Sequence, residues 1–177
     1  MCFHSSCWVK MVLLVNGTRV DECPLSLHAL FQSHPGLKES SVSLCSVKSQ
    51  VVGPAGLLYV TQREYAVTHP HDNKVSILGT DDVTTNTVLV IKQPGQFYTL
   101  QHDNSLVYNC LSYVAANGAT LLSNVDRMKQ DDLETMLQKV SPSSYGYENR
   151  LKVHIIGAFT DNKNVSETVV LSLLGEN

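Results

Sequence analysis

The stretch from Gly56 to Lys92 leaves this chain the least freedom in how it folds. "LLYVTQ" and "EYAVTH" are rich in Tyr, Val and Thr with partial alternation, the pattern of half-buried strands. "VSILG" and "TVLVIK" are apolar almost throughout, which suits strands covered on both faces. The turn cluster "HPHDNK" separates the two pairs. So many strand-forming segments in so short a tract predict a central, mainly antiparallel sheet.

The flanks add helices. "MVLLVNGTRV" reads as a fresh start at Met11, with a strand and a turn at Asn16-Gly17, and residues 1–10 as an N-terminal extension. Leu25, Leu27, Leu30 and Phe31 lie roughly on one helical face, and Pro35-Gly36 is expected to stop that helix. In "MKQDDLETMLQKV", residues 128–140, Met128, Leu133, Met136, Leu137 and Val140 cluster on one side; Pro142 and "SPSSYGYEN" end it. "LKVHIIGAF" reads as a further buried strand. Asp161 or Asn162 is expected to cap a last helix through Val165, Val169, Val170 and Leu173. Strands followed by segregated helices define an α+β class. The length suits one domain, placed over residues 11–177.

Charge and composition exclude several functions. A net charge of -3 and no Lys/Arg-rich run argue against a nucleic-acid groove. No apolar run approaches the roughly 18 residues of a membrane span. The N-terminus is a poor signal peptide, which predicts a cytoplasmic or nuclear protein with reduced thiols. Cys2, Cys7, Cys23, Cys45 and Cys110 are irregularly spaced and read as free thiols, and the sequons at Asn16 and Asn164 as chance matches. Neither "HPHD" (His69, His71, Asp72) nor "CFHSSC" (Cys2, His4, Cys7) completes a metal site, so no metal or cofactor is expected. His154 reads as a core or sheet-face histidine. "GPAG" lacks the ending and the following helix of a phosphate loop.

One loop has the layout of a catalytic site. In "TDDVTTNTVLVIK", residues 80–92, an acidic pair and a threonine pair run directly into an apolar strand. That arrangement aims a side chain from the lip of a sheet. The residue at the focal point, Asn86, is a poor nucleophile, because its amide nitrogen is delocalised into the carbonyl.

The blocks "VGPAGLLYVTQREYAVTHP", "VSILGTDDVTT", "NGATLL" and "LKVHIIGAFTDN" resemble the N-terminal half of the eukaryotic protein N-terminal asparagine amidohydrolases. The resemblance implies hydrolysis of the side-chain amide of an N-terminal Asn in proteins and peptides, leaving N-terminal Asp and feeding a degradation pathway that reads N-terminal residues. It implies a cysteine thiolate attacking the carboxamide carbon, an oxyanion held by nearby donors, and a histidine as base and acid. It also implies a fold similar to chemoreceptor glutamine deamidases and deamidating toxins.

Three departures from the family's pattern matter. The nucleophile position after the Thr-Thr pair is Asn86, and the family histidine aligns with Asn124. Loss of a nucleophile costs on the order of 10⁶ in kcat, so the expectation is an impaired or inactive member of the family. Gln96 to Ala116 reads as an insertion, retained intron or alternative exon, between strands expected to be adjacent. Cys110 lies in it and is not expected to replace the lost nucleophile. The resemblance also covers only about half the family's usual length. For substrate binding, Asp81-Asp82 either hold the substrate's α-ammonium or organise the turn. Thr84-Thr85 either donate to the reacting carbonyl or satisfy their own backbone. Two rival readings are an active C–N hydrolase with an unrecognised nucleophile, for which Thr84, Thr85 and Thr87 are the hydroxyls to hand, and an interaction module without a substrate pocket.

Overall fold

A computed structural model describes residues 13–20, 22, 24–46, 53–69, 72, 74–81, 83, 85–92, 100–102, 111–114, 119–127, 130–140, 151–157 and 163–174. The chain opens with a hairpin, β1 (Leu13–Val15) and β2 (Thr18–Val20). Asn16 (φ 50) and Gly17 (φ 81) both sit at positive φ, as a two-residue hairpin turn requires. Next come α1 (Leu27–Ser33), its first turn capped by the Ser26 hydroxyl accepting from the Ala29 N–H at 3.1 Å, and α2 (Pro35–Cys45). Pro35 does more than stop α1. It begins α2, where its missing N–H costs nothing and its fixed φ already suits a helix. The expected apolar face of α1 is also narrower than the spacing suggested, for Leu30 is buried but Leu25 is 88% exposed.

Two four-stranded sheets follow. β3 (Leu57–Tyr59), β4 (Tyr65–Thr68), β5 (Ile77–Thr80) and β6 (Thr87–Lys92) come from the β-rich tract. β7 (Leu100–His102), β8 (Leu111–Val114), β9 (Thr120–Val125), α3 (Gln130–Val140), β10 (Lys152–Ile156) and α4 (Val165–Leu174) complete the order. One sheet runs β10-β6-β9-β4 and is antiparallel throughout; the other runs β3-β5-β8-β7, with β3 and β5 parallel. The architecture is therefore α+β and mainly antiparallel, with its strands shared between two sheets and the terminal hairpin. β6 and β9 pair directly, Thr87 opposite Val125 and Lys92 opposite Thr120. The chain between them, 96–116 included, supplies β7 and β8 to the second sheet.

Alternation along β6 and β9 builds two cores. Val88, Val90 and Leu122 point one way and pack with Val60, Leu78 and Val83. Leu89, Ile91, Leu121 and Val125 point the other way, onto Met136 and Val140 of α3 and Val169 of α4. Sequestered on both faces, β6 and β9 are buried along their whole length. "LKVHIIGAF" differs from expectation: β10 is the outermost strand of its sheet, and Lys152 and Val153 are exposed. Its later residues are only half-buried, Ile155 against the core beneath α3 and α4 and Ile156 against the other. Met128, Pro142, Asp161 and Asn162 fall outside the described residues, as do residues 1–10 with Cys2, His4 and Cys7, and also Cys23, His71 and Cys110. Among the described residues no helix is long and apolar enough to cross a membrane.

Candidate functional site

Where the two sheets meet, at the start of β6, polar side chains collect in a place that β6 and β9 would otherwise fill with apolar ones. Asn86 immediately precedes β6 and is 4% exposed; Asn124, near the end of β9, is 2% exposed. Asn124 lies opposite Val88, so Asn86, two residues earlier, is its diagonal neighbour across the β6–β9 ladder. Asn86 and Asn124, the positions expected from the resemblance for nucleophile and base, are thus brought together, although 38 positions of sequence numbering separate them.

Gln62 ties them. It forms an isolated parallel bridge with Asn124, and its side-chain Nε2 donates to Asn86 Oδ1 at 3.1 Å. The Arg63 N–H donates to the Asn124 carbonyl at 2.9 Å, and the Asn124 N–H to the Glu64 carbonyl at 3.2 Å. Asn124 Nδ2 donates to the Thr80 hydroxyl at 2.9 Å. Asn124 Oδ1 is buried with no hydrogen-bond partner among the described residues. A buried unpaired acceptor costs about 1–3 kcal/mol, so this carboxamide fits its site on one side only. Asp126, the residue immediately after β9, pairs with Arg63 at 2.7 Å.

Other candidates sit around this cluster. Asp81 follows β5 and accepts from the Tyr59 hydroxyl. The Thr85 carbonyl accepts from the buried Ser166 hydroxyl at 2.9 Å, which fastens the loop to the first turn of α4. Gly157 closes in from β10. Its φ is +141, and an added Cβ would stand 3.0 Å from the Asn86 carbonyl oxygen and 3.1 Å from Thr87 Cα. Asp82 and Thr84 lie outside the described residues. Gln62, Thr80 and Asp126 were not singled out from the sequence. Each is an ordinary residue in a turn, a strand end or a bend, and only the packing of the β3–β5 sheet against the β9–β4 sheet draws them together.

The chemistry on offer is that of carboxamides and hydroxyls. The recorded partners of the Asn86 and Asn124 side chains are an amide and a hydroxyl. Among the described residues no group of three or more His, Cys, Asp or Glu side chains is arranged to hold a metal ion. The far end of β6 is different. Lys92 is buried, with its pKa pushed down to about 8 by desolvation and by Lys152. His154, opposite Val90, is pushed down to about 4 by burial and then by Lys92 and Lys152. Its Nε2 is buried without a partner among the described residues. His154 is thus a neutral sheet-face histidine, remote from Asn86 along β6.

An α+β domain with a strand-edge polar cluster between two sheets is a frame for a side-chain amide chemistry only if its residues have the right reactivity. The sequence profile of the protein N-terminal asparagine amidohydrolases matches residues 47–176. The chain belongs to that family. Over 168 residues it is 36% identical to the protein N-terminal asparagine amidohydrolases of Mus musculus, Homo sapiens and Sus scrofa. The alignment takes in 94% of this chain and 47% of each relative, so the chain spans about half the length of the curated relatives it matches.

Proposed function

We propose that this chain keeps the frame of an N-terminal asparagine amidohydrolase site without its thioester chemistry. The observation that carries this reading is the diagonal proximity of two buried carboxamides, Asn86 and Asn124, at the positions the family resemblance gives to nucleophile and base. A cysteine at 86 would attack the substrate carboxamide carbon, and a histidine at 124 would take the thiol proton and return it to the departing ammonia. The Thr80 hydroxyl, already the partner of residue 124, is placed to orient such an imidazole. Asparagine supplies neither a nucleophilic electron pair nor a titrating nitrogen.

What remains is recognition. The ligands are proteins and peptides that begin with Asn. In this reading Asp81 and Asp82 attract the α-ammonium, and Thr84 and Thr85 offer donors to the substrate's side-chain carbonyl. The fold is taken as similar to the chemoreceptor glutamine deamidases and deamidating toxins. The setting is cytoplasmic or nuclear, beside the degradation pathway that reads N-terminal residues. The test is incubation of the purified chain with an Asn-initiated peptide. Unchanged peptide by mass spectrometry is expected, and conversion of the first residue to Asp overturns the reading.

A further inference from the structure

A groove of about 400 Å³ opens beside this cluster, lined by Leu58, Tyr59, Arg63, Glu64, Tyr65 and Ala66. Its walls are two outermost strands, β3 of one sheet and β4 of the other. The Val60 N–H donates to the Gly79 carbonyl at 2.8 Å, so alternation along β3 turns the main-chain groups of Tyr59 away from β5, toward the open edge. On β4 the Asn124 N–H bonds to the Glu64 carbonyl. The same alternation turns Tyr65 and Val67 outward. Leu58, Tyr59 and Tyr65 are all exposed large apolar side chains. An exposed strand edge flanked by apolar side chains is a template for another strand.

We infer that this groove binds the main chain of an extended peptide as an added strand, with the peptide's amino terminus at the Gln62 turn. The charge at that end selects this occupant. Arg63 is already paired with Asp126. Glu64 lines the groove next to it, held below the usual carboxylate range by hydrogen bonds from the Thr61 side chain and N–H. Asp81 lies beside Tyr59 through the tyrosine hydroxyl. The Glu64 carboxylate at this end complements an α-ammonium. A peptide entering amino terminus first runs antiparallel to β3, the better-bonded of the two pairings. Main-chain bonds then supply affinity and leave side chains beyond the first residue weakly read. This rests on the proposed recognition of Asn-initiated peptides and adds how the rest of the peptide is held.

The test is fluorescence polarisation with short C-terminally labelled peptides beginning with Asn or Gly, each N-methylated in turn at the second and third residues. Loss of one main-chain hydrogen bond is expected to weaken binding about five-fold at one of those positions. Tyr65→Ala is expected to weaken binding, and Val153→Ala, on the open edge of β10, to leave it unchanged. Methylation without effect at both positions, or equal loss from both variants, overturns the inference, as does failure of every peptide to bind. A methylation effect without preference for Asn over Gly supports the added strand and overturns the proposed recognition instead. The reverse pattern spares the recognition and removes the strand. A dimer in light scattering that shuts the peptides out assigns the groove to a second copy of the chain and also overturns the inference.

Discussion

Acidification is expected to unfold this domain earlier than its carboxylates alone would dictate, and His154 is the reason. In the folded chain its pKa is about 4, against 6.5 for the free side chain, through burial first and then Lys92 and Lys152. Between those values the unfolded chain binds the proton that the folded chain refuses. The stability contribution is therefore fully present above pH 6.5 and is lost as pH falls toward 4. At about 1.4 kcal/mol per pKa unit the ceiling is about 3 kcal/mol. Screening at a ring that is only partly buried reduces the loss by pH 5 to about 1–2 kcal/mol. His154→Leu replaces the unpartnered Nε2 with an apolar group of similar size and removes the titration. Urea unfolding followed by far-UV circular dichroism, at steps from pH 7.5 to 4.5, gives both curves. The wild-type curve is expected to fall more steeply, the gap opening below pH 6.5. Parallel curves refute the placement of His154 in a desolvated, cationic environment. Lys92 has the same sign at the alkaline end: with its pKa at about 8 against 10.5, stability rises with pH between those values.

Two further substitutions test the frame. Leu122→Ala removes a fully buried side chain between the sheets and is expected to cost about 2–5 kcal/mol in denaturant unfolding; a cost below 1 kcal/mol contradicts the assigned core. Gly157→Ala forces a Cβ against the Asn86–Thr87 backbone at a φ that side chains rarely adopt. It is expected to lower stability by about 1–3 kcal/mol and to abolish peptide binding; full binding would show that β10 does not hold the site loop.

The sequence carried the fold wherever one local force dominates. Near-continuous apolarity made β6 legible, Asn16-Gly17 announced its hairpin, and the periodicity through Leu133, Met136, Leu137 and Val140 announced α3. It misled where a residue has two uses. Pro35 ends one helix and starts another, so α2, with little apolar periodicity of its own, stayed hidden. "LKVHIIGAF" is apolar enough for a central strand, yet β10 lies at the sheet margin with its residues exposed or half-buried. Division into two sheets was not readable, because it depends on pairings between β5 and β8 that no local pattern encodes. The same limit applies to the site. Asn86 stood out because of its neighbours in the chain, whereas Gln62 and Thr80 act through contacts made only after β4, β5 and β9 assemble.

The central claim is that the frame is intact and the reactive atoms are missing. Ammonia release from an Asn-initiated peptide, measured side by side for the wild-type chain and the Asn86→Cys, Asn124→His double variant, tests it most directly. The account predicts no release from the wild type and measurable release from the double variant. Release from the wild type, or none from a double variant that unfolds cooperatively and still binds the peptide, contradicts it.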